Sequence, residues 1–255
     1  MTNLWRIFLL LGLCYLLICA AMFVLQRKLI YHPTPAHPGA QNLSLENDGL
    51  QLQVAQAQAA GQGKALLYFG GNAEDVAYSV RELAQLFPQH AIYALHYRGY
   101  GGSAGEPNEV GNHADAWALW QLLRSRYAEI TIMGRSLGTG IATRLAARAD
   151  SALQHLILVT PYDSMQAVAA HHYPWLPVQW LLRERYASLQ YAPQVKAPCI
   201  IFAAAQDQVV PPVHAQRLAQ GFTPGRAQML MVEGADHHNI SETAVYRQAL
   251  LKLGR

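Results

Sequence analysis

The sequence predicts an α/β fold with a mostly parallel central sheet and helices on both faces, preceded by one long apolar helix. Short apolar stretches alternate along the chain with longer amphipathic stretches, an order typical of parallel strands joined by crossover helices. Glycine-rich loops follow several of the predicted strands. The first apolar stretch is much longer than a strand requires, and it stands apart from this alternation. A chain of 255 residues is long enough for one such domain.

The composition argues against several classes of function. The net charge is +3, and no basic stripe with interleaved aromatic residues is present, so we expect no nucleic-acid partner. Two of the three cysteines, Cys14 and Cys19, lie in the first apolar segment, and the third is Cys199; they form no disulfide framework. No cysteine or histidine cluster has the spacing of a zinc site. We therefore expect neither a metal nor a cofactor.

The N-terminal apolar segment predicts a membrane anchor. Residues 7–25 carry no charge and are flanked by Arg6 and by Arg27-Lys28. Such a run, as a helix, is long enough to span a hydrocarbon core of about 30 Å. A cleaved signal peptide and a buried core helix are the alternatives, but no clear small-x-small cleavage site follows the run. We expect a single-pass anchor over residues 1–28, on a side of the membrane that the nearly balanced flanking charges leave open.

The segment after the anchor predicts a linker and then one folded domain. Residues 29–45 contain three prolines and are predicted as an extended linker. The domain is predicted over residues 46–255. Its alternating stretch at residues 50–58 favours a half-exposed antiparallel strand at the sheet edge.

Two glycine-rich loops precede the middle of the domain. An apolar strand at residues 64–69 runs into Gly70-Gly71-Asn72, and a helix is predicted from residue 73 to 87. A second strand at residues 91–97 is followed by a glycine-rich loop that does not open a helix, so it is not a dinucleotide fingerprint. Ligands of such sheets bind beyond the carboxyl ends of the strands, where both loops lie.

The stretch at residues 130–140 has the pattern of a nucleophile elbow. It contains Gly134-Arg135-Ser136-Leu137-Gly138 between a β-branched strand and an alanine-rich helix. The pentapeptide alone is common, but this strand–turn–helix setting is the one that the motif requires. The pattern predicts that Ser136 is a nucleophile. The N–H of Leu137 and an N–H from the first glycine-rich loop are then expected to form an oxyanion hole.

Residues 162–195 interrupt the alternation with aromatic and proline-rich pieces. An insertion at this position would lie over the carboxyl ends of the strands, so we interpret it as a short lid lining an apolar pocket. The alternative is that the aromatic side chains only pack the insertion onto the sheet.

A candidate acid and a candidate base follow Ser136 along the chain, and their order is that of a known catalytic triad. Asp207 comes just after a predicted strand at residues 199–204, and His237-His238 follow the last predicted strand at residues 228–232. A serine, an aspartate and a histidine in that order, each just past a strand, are typical of the α/β-hydrolase arrangement.

The motifs together resemble a known group. The sequence is similar to the N-terminally membrane-anchored α/β-hydrolase-domain proteins of the serine hydrolase superfamily, relatives of prolyl-aminopeptidase-like and thioesterase-like hydrolases. The matching stretches are QRKLIYHP, GGNAEDV, YRGYGGSAGEPNE, GRSLGTG, PYDSM, YPWLP, QDQVVP and EGADHHN.

The resemblance implies a role for each candidate residue. Ser136 would be the nucleophile, Asp207 the orienting acid and His237 the base, and the oxyanion N–H groups would come from Asn72 and Leu137. Two positions depart from the family pattern: Gly70 replaces a usual histidine, and GADHHN replaces GAGHND. His238 therefore remains an alternative base.

The expected activity is hydrolysis of ester or thioester bonds in small-molecule or lipid-like substrates with apolar acyl groups. It would proceed through an acyl-enzyme and require no cofactor. Two alternatives stay open: a serine peptidase of the same fold, and a non-catalytic binding protein tethered to the membrane. The sequence does not predict the oligomeric state.

Overall fold

A computed structural model describes residues 4–36, 42–58 and 63–254. The described residues form one sheet of eight strands. These strands are β1 Asn42–Asn47, β2 Leu50–Ala57, β3 Lys64–Phe69, β4 His90–Leu95, β5 Glu129–Arg135, β6 Leu153–Val159, β7 Cys199–Ala204 and β8 Ala227–Val232.

The helices connect the strands and extend the chain at its start. They are α1 Leu4–Ile30, α2 Val76–Leu86, α3 Glu109–Arg124, α4 Leu137–Arg148, α5 Met165–His172, α6 Val178–Leu181, α7 Ser188–Tyr191, α8 Pro212–Gly221 and α9 Ala244–Leu253. Short 3-10 turns follow at Ala192–Gln194 and Ile240–Glu242.

The sheet places the carboxyl ends of its parallel strands along one edge. The strand order is β1-β2-β4-β3-β5-β6-β7-β8. β2 pairs antiparallel with β1 and β4, and the remaining pairs are parallel. Phe69 is in register with Gly134, and Arg135 is in register with Val159. The loops after β3, β5 and β6 therefore begin side by side.

Both faces of the sheet are covered by helices, which confirms the predicted fold class. Alternate strand residues separate into two apolar cores. One core contains residues of α3, α4 and α8, and the other contains residues of α2 and α9. The central strands are buried on both faces, as their continuous apolar sequences predict.

The chain differs from the sequence prediction at the start of the domain. Strand β1, which was not predicted, begins inside the segment predicted as a linker, and α1 continues to Ile30. Residues 37–41 of that segment lie outside the described residues. The hairpin turn between β1 and β2 is Asp48-Gly49, both with positive φ, a turn that pairs two strands closely. Helix α2 begins later than predicted because Asp75 caps it by accepting from the N–H of Ala77.

The predicted lid at residues 162–195 contains α5, α6 and α7, and it packs against α1. Cys19 and Gln26 are buried in this contact although most of α1 is exposed. Leu176 and Val178 of the lid form a small apolar cluster with Cys19. Among the described residues, α1 is the one helix long and apolar enough to span a membrane.

Candidate active site

The turn between β5 and α4 places Ser136 at the carboxyl edge of the sheet. Ser136 has φ 47° and ψ −115°, a conformation that residues with side chains rarely adopt. The glycines two positions before and after Ser136 cannot be replaced by larger residues without a clash. A Cβ on Gly138 would lie 2.1 Å from the carbonyl oxygen of Phe69, and a Cβ on Gly134 would lie 2.5 Å from the carbonyl oxygen of Gly138. The close approach of β3, β5 and α4 therefore requires both glycines.

His237 lies between Ser136 and Asp207. Its Nε2 is 3.0 Å from the Oγ of Ser136, and its Nδ1 is 2.7 Å from Oδ2 of Asp207. The other carboxylate oxygen of Asp207 accepts from the backbone N–H groups of Val209 and Val210, at 2.9 and 2.7 Å. Both His237 and Asp207 are buried. The three side chains thus form a continuous hydrogen-bonded chain whose acid is held by the loop after β7.

The structure does not bring His238 to Ser136. The His238 side chain is exposed, and its ring lies beside that of His237 with 5.6 Å between centroids. Asp236 holds this turn by accepting from the backbone N–H groups of His238 and Asn239. These hydrogen bonds lower the pKa of Asp236. The turn therefore directs the first histidine, and not the second, toward the serine.

The loop after β3 lies opposite the elbow. Among the described residues, neither the backbone N–H of Asn72 nor that of Leu137 donates a hydrogen bond, and both residues line the same cavity as Ser136. Leu137 is the first residue of α4, where the helix dipole favours negative charge. Glu74 holds the loop by accepting from the N–H of Gly71 at 2.6 Å and from the hydroxyl of Tyr68 at 2.8 Å.

The side chain of Asn72 ties this loop to the end of α1. Its amide nitrogen donates to the carbonyl of Ile30, and its oxygen accepts from the N–H of His32 at 3.0 Å and from the hydroxyl of Tyr100 at 2.9 Å. The side chain therefore bonds the backbone of the N-terminal segment and the hydroxyl of Tyr100, whereas the backbone N–H of Asn72 has no acceptor among the described residues.

Gly70 occupies a place where a side chain does not fit. A Cβ there would lie 2.5 Å from Cγ1 of Val76 and 3.3 Å from the carboxyl carbon of Glu74. The Gly70 carbonyl accepts from the hydroxyl of Tyr97 at 2.7 Å. Gly70 stands where the related sequences usually have histidine, and here Val76 and Tyr97 pack directly against its backbone.

Comparisons with known proteins identify the family of the chain. A family model described as the alpha/beta hydrolase fold matches residues 64–187. The uncharacterized protein Rv2307c of Mycobacterium tuberculosis is 34% identical over 232 residues, 84% of this chain and 81% of that protein. The chain belongs to the α/β-hydrolase family. The alpha/beta hydrolase domain-containing protein aho-3 of Caenorhabditis elegans is 30% identical over 72% of this hydrolase and 55% of its own length.

The fold is also shared with solved structures of low identity. The monoacylglycerol lipase of Paleococcus ferrophilus superposes with a TM-score of 0.61 over 80% of this chain and 98% of its own, at 16% identity. At that identity the likeness concerns the fold of the hydrolase.

A cavity of about 740 Å³ opens from Ser136. Apart from Asn72, Ser136 and Leu137, its wall is largely apolar and comes from three parts of the hydrolase: the end of α1, the lid, and the loop after β7. From α1 come Met22, Gln26, Leu29 and Ile30; from the lid come Tyr162, Met165, Val168, Ala169, His172, Tyr173, Leu176, Val178, Leu181 and Leu182; from the loop come Gln208, Val209 and Val210. Sequence reasoning treated α1 as an anchor alone and missed its contribution to this wall.

A buried carboxylate joins α1, the lid and α3. Glu184, which is 3% exposed, accepts from Nε of Arg27 at 2.9 Å, from the hydroxyl of Tyr31 at 2.7 Å and from the backbone N–H of Glu109. Burial raises the pKa of Tyr31, which keeps its hydroxyl protonated and able to donate. The Tyr31 hydroxyl also contacts that of Tyr186 at 2.7 Å. Sequence reasoning missed Glu184, whose only signal was a charge next to an uncharged lid segment.

A second buried aspartate–histidine pair lies at the base of the lid. Nδ1 of His214 is 2.8 Å from Oδ1 of Asp163, and the Asp163 carbonyl accepts from the N–H of Leu189. This pair has no serine partner in the described part of the chain, and it connects the start of α8 to the lid. No group of three or more His, Cys, Asp or Glu side chains able to hold a metal ion occurs among the described residues.

Proposed function

We propose that this hydrolase is a membrane-anchored serine hydrolase that cleaves carboxylic ester or thioester bonds of substrates with apolar acyl groups. The observation that carries the proposal is the hydrogen-bonded chain Ser136–His237–Asp207 opening onto an apolar cavity. Nucleophile, base and orienting acid within hydrogen-bond distance are the arrangement required for acyl transfer.

Each residue takes a separate step in the proposed reaction. Nε2 of His237 accepts the hydroxyl proton as Oγ of Ser136 attacks the carbonyl carbon, and the resulting oxyanion receives hydrogen bonds from the N–H groups of Asn72 and Leu137. His237 then returns the proton to the leaving alcohol or thiol, which leaves an acyl group on Ser136. Asp207 holds Nδ1–H of His237 and stabilises its charged form without itself being protonated. Water releases the acyl group by the same sequence.

The substrate class follows from the wall of the cavity. Its volume lies within the roughly 300–1,000 Å³ range of small-molecule sites, and most of its lining is aliphatic or aromatic. Burying a methylene of an acyl chain there contributes about 0.8 kcal/mol. The similarity in fold to a monoacylglycerol lipase supports a lipid-like ester, while a thioester with the same chain would meet the same wall.

Retention of α1 as an anchor is supported by its place in the cavity wall. A signal peptide cleaved after the apolar run would remove Met22 and leave the lid cluster around Leu176 without its partner Cys19. The exposed surface of α1 is unlike that of a core helix, since its leucines at positions 9–11 are about 60% exposed. A retained helix would keep both the membrane contact and the cavity.

A panel of substrates tests the proposal. Purified full-length protein is assayed on p-nitrophenyl esters of increasing chain length, on acyl thioesters and on aminoacyl anilides, with Ser136→Ala and the exposed Ser151→Ala as a matched pair. The proposal expects turnover of medium or long acyl esters that is lost in Ser136→Ala and kept in Ser151→Ala. Turnover of the anilides alone would favour the peptidase alternative, and folded protein inactive on the whole panel would favour a binding protein.

A further inference from the structure

One face of α1 packs along the lid over half the length of the helix. The residues on this face are Tyr15, Cys19, Met22, Gln26 and Ile30, spaced three or four apart as one helical stripe. The hydroxyl of Tyr15 donates to the carbonyl of Trp175 at 2.9 Å. At 1.5 Å per residue, Tyr15 lies about 16 Å along the axis from Gln26, roughly the thickness of one hydrocarbon leaflet.

The part of α1 beyond the lid is too short to cross a bilayer alone. In the described part of the chain, residues 4–14 form no hydrogen bond or apolar cluster with the lid, and as a helix they span about 16 Å of a hydrocarbon core of about 30 Å. If the whole apolar run 7–25 lies in the hydrocarbon core of a bilayer, the lid segment that packs beside the second half of this run must lie there too.

The lid segment has the composition for that environment. Residues 173–182, YPWLPVQWLL, are uncharged, and Tyr173, Trp175 and Trp180 are exposed. Its polar boundary coincides in space with that of α1: the guanidinium of Arg183 lies 4.0 Å from the ring centroid of Phe23, and Arg27 pairs with Glu184. The basic residues of both elements therefore lie at one level, where anionic headgroups favour them.

The backbone of the segment is largely satisfied without water. The N–H groups of Tyr173, Leu176, Val178, Trp180, Leu181 and Leu182 donate to nearby carbonyls, and Pro174 and Pro177 have no N–H. The Trp175 carbonyl is satisfied by Tyr15. A lipid-exposed segment requires this, because an unsatisfied backbone group costs several kcal/mol in hydrocarbon.

We propose that the lid segment 173–182 inserts into one leaflet of the bilayer beside α1, so that the cavity leading to Ser136 opens within the hydrocarbon. The exposed surface of the lid segment is covered by the acyl chains of the leaflet, and the headgroup level is marked by Arg27, Lys28, Arg183 and Arg185. This deepens the proposed function, on which the following consequence rests: an acyl substrate enters laterally from the leaflet, past Tyr173 and Leu176, without crossing water.

Depth-dependent quenching tests the insertion independently of any activity. In a full-length Cys14→Ser background, whose remaining Cys19 and Cys199 are buried, an environment-sensitive fluorophore is attached to Trp175→Cys, Trp180→Cys or Val245→Cys. Val245 is an exposed apolar control on α9. The protein is reconstituted into phosphatidylcholine–phosphatidylglycerol vesicles that carry nitroxide lipids near the headgroup or near the middle of the chain.

The proposal expects both lid labels to lose emission to chain nitroxides and to resist aqueous iodide, while the Val245 label does the reverse. Lid labels quenched by iodide would overturn it. Lid labels protected from both quenchers would also overturn it, since a second protein surface and not lipid would then cover the lid.

A pair of activity measurements separates this inference from the proposed function. Trp175 and Trp180 do not line the cavity. Trp175→Asp/Trp180→Asp is therefore expected to keep turnover of a short soluble ester and to lose roughly tenfold or more on a long-chain ester embedded in vesicles, the scale set by a carboxylate in hydrocarbon. Val245→Asp should change neither rate. Equal rates on both substrates would contradict lateral entry, whereas absence of all esterase activity with intact quenching would contradict the proposed function and leave the insertion standing.

Discussion

Asp207 and His237 are joined by a 2.7 Å contact between Oδ2 and Nδ1, while the second oxygen of Asp207 is occupied by two backbone N–H groups. Oδ1 of Asp207 is therefore engaged by the backbone, and Oδ2 is the oxygen that contacts the imidazole. This sets the tautomer in which Nε2 of His237 is the acceptor facing Oγ of Ser136, 3.0 Å away. The three side chains are thus linked by two consecutive hydrogen bonds.

The two adjacent histidines are expected to differ sharply. His237→Ala should lower kcat/KM on an acyl ester by about a thousandfold or more, because it removes the group proposed to accept the serine proton. His238→Ala should change kcat/KM little, because its side chain is exposed and makes no contact with Ser136. Steady-state kinetics of the two variants checks this, and a larger loss for His238→Ala would exchange their roles.

Gly70 is expected to be intolerant of a side chain because of Val76. Gly70→Ala should lower the free energy of unfolding by about 1–3 kcal/mol, the range for overpacking a buried site. The clash is with Cγ1 of Val76. Gly70→Ala should therefore cost less stability in a Val76→Ala background than in the unmodified sequence. Denaturant titrations in detergent give the four stabilities of this cycle. Purely additive losses would show that the strain lies elsewhere.

The buried carboxylate of Glu184 is expected to hold α1 against the lid. Glu184→Gln removes the charge that Arg27 and Tyr31 contact, and we expect a loss of roughly 1–3 kcal/mol in stability. Because α1 and the lid both line the cavity, KM for a long-chain ester should rise more than kcat falls. The exposed Glu233→Gln is the control. An unchanged KM in Glu184→Gln would mean that the cavity wall does not depend on this contact.

Acid is expected to destabilise the fold through buried histidines. Burial, with Lys64 nearby, lowers the pKa of His90 to about 4, and burial also lowers the pKa of His96 and of His113. The unfolded chain, with an ordinary pKa of about 6.5, then binds more protons than the folded chain between about pH 6.5 and about pH 4, so stability falls as the pH falls through that window.

Replacement of His90 checks this account. His90→Phe should flatten the slope of unfolding free energy against pH in that window without abolishing it, because His96 and His113 remain. The measurement is denaturant unfolding at a series of pH values, with His238→Ala as the control. A slope unchanged by His90→Phe would contradict the lowered pKa.

Much of the fold was predictable because its signals are local. The central strands are short continuous apolar runs, and Ser136 has glycines two positions before and two positions after it, so sequence alone predicts the parallel sheet and the elbow. The spacing of Asp207 and His237 after their strands then follows from the rule that parallel strands end at one edge. Strand β1 had a local signal too, the Asp48-Gly49 turn, which sequence reasoning did not use.

The remaining features depend on contacts between distant parts of the chain. The α1 wall of the cavity and the Glu184 contacts join residues more than 70 positions apart, and nothing in their local sequence indicates a partner. Likewise, Gly70 is explained only by the approach of Val76 and Tyr97. The choice between His237 and His238 also required the turn held by Asp236, because adjacent residues share every local signal.

The central claim is that Ser136 is an activated nucleophile, and covalent labelling tests it most directly. The full-length protein is treated with a fluorophosphonate, and the modified peptide is identified by mass spectrometry. The account predicts one adduct, on Ser136, which is absent in Ser136→Ala, strongly slowed in His237→Ala and unchanged in the exposed control Ser151→Ala. Labelling of Ser136→Ala equal to that of the unmodified sequence, or an adduct on another serine, would contradict it.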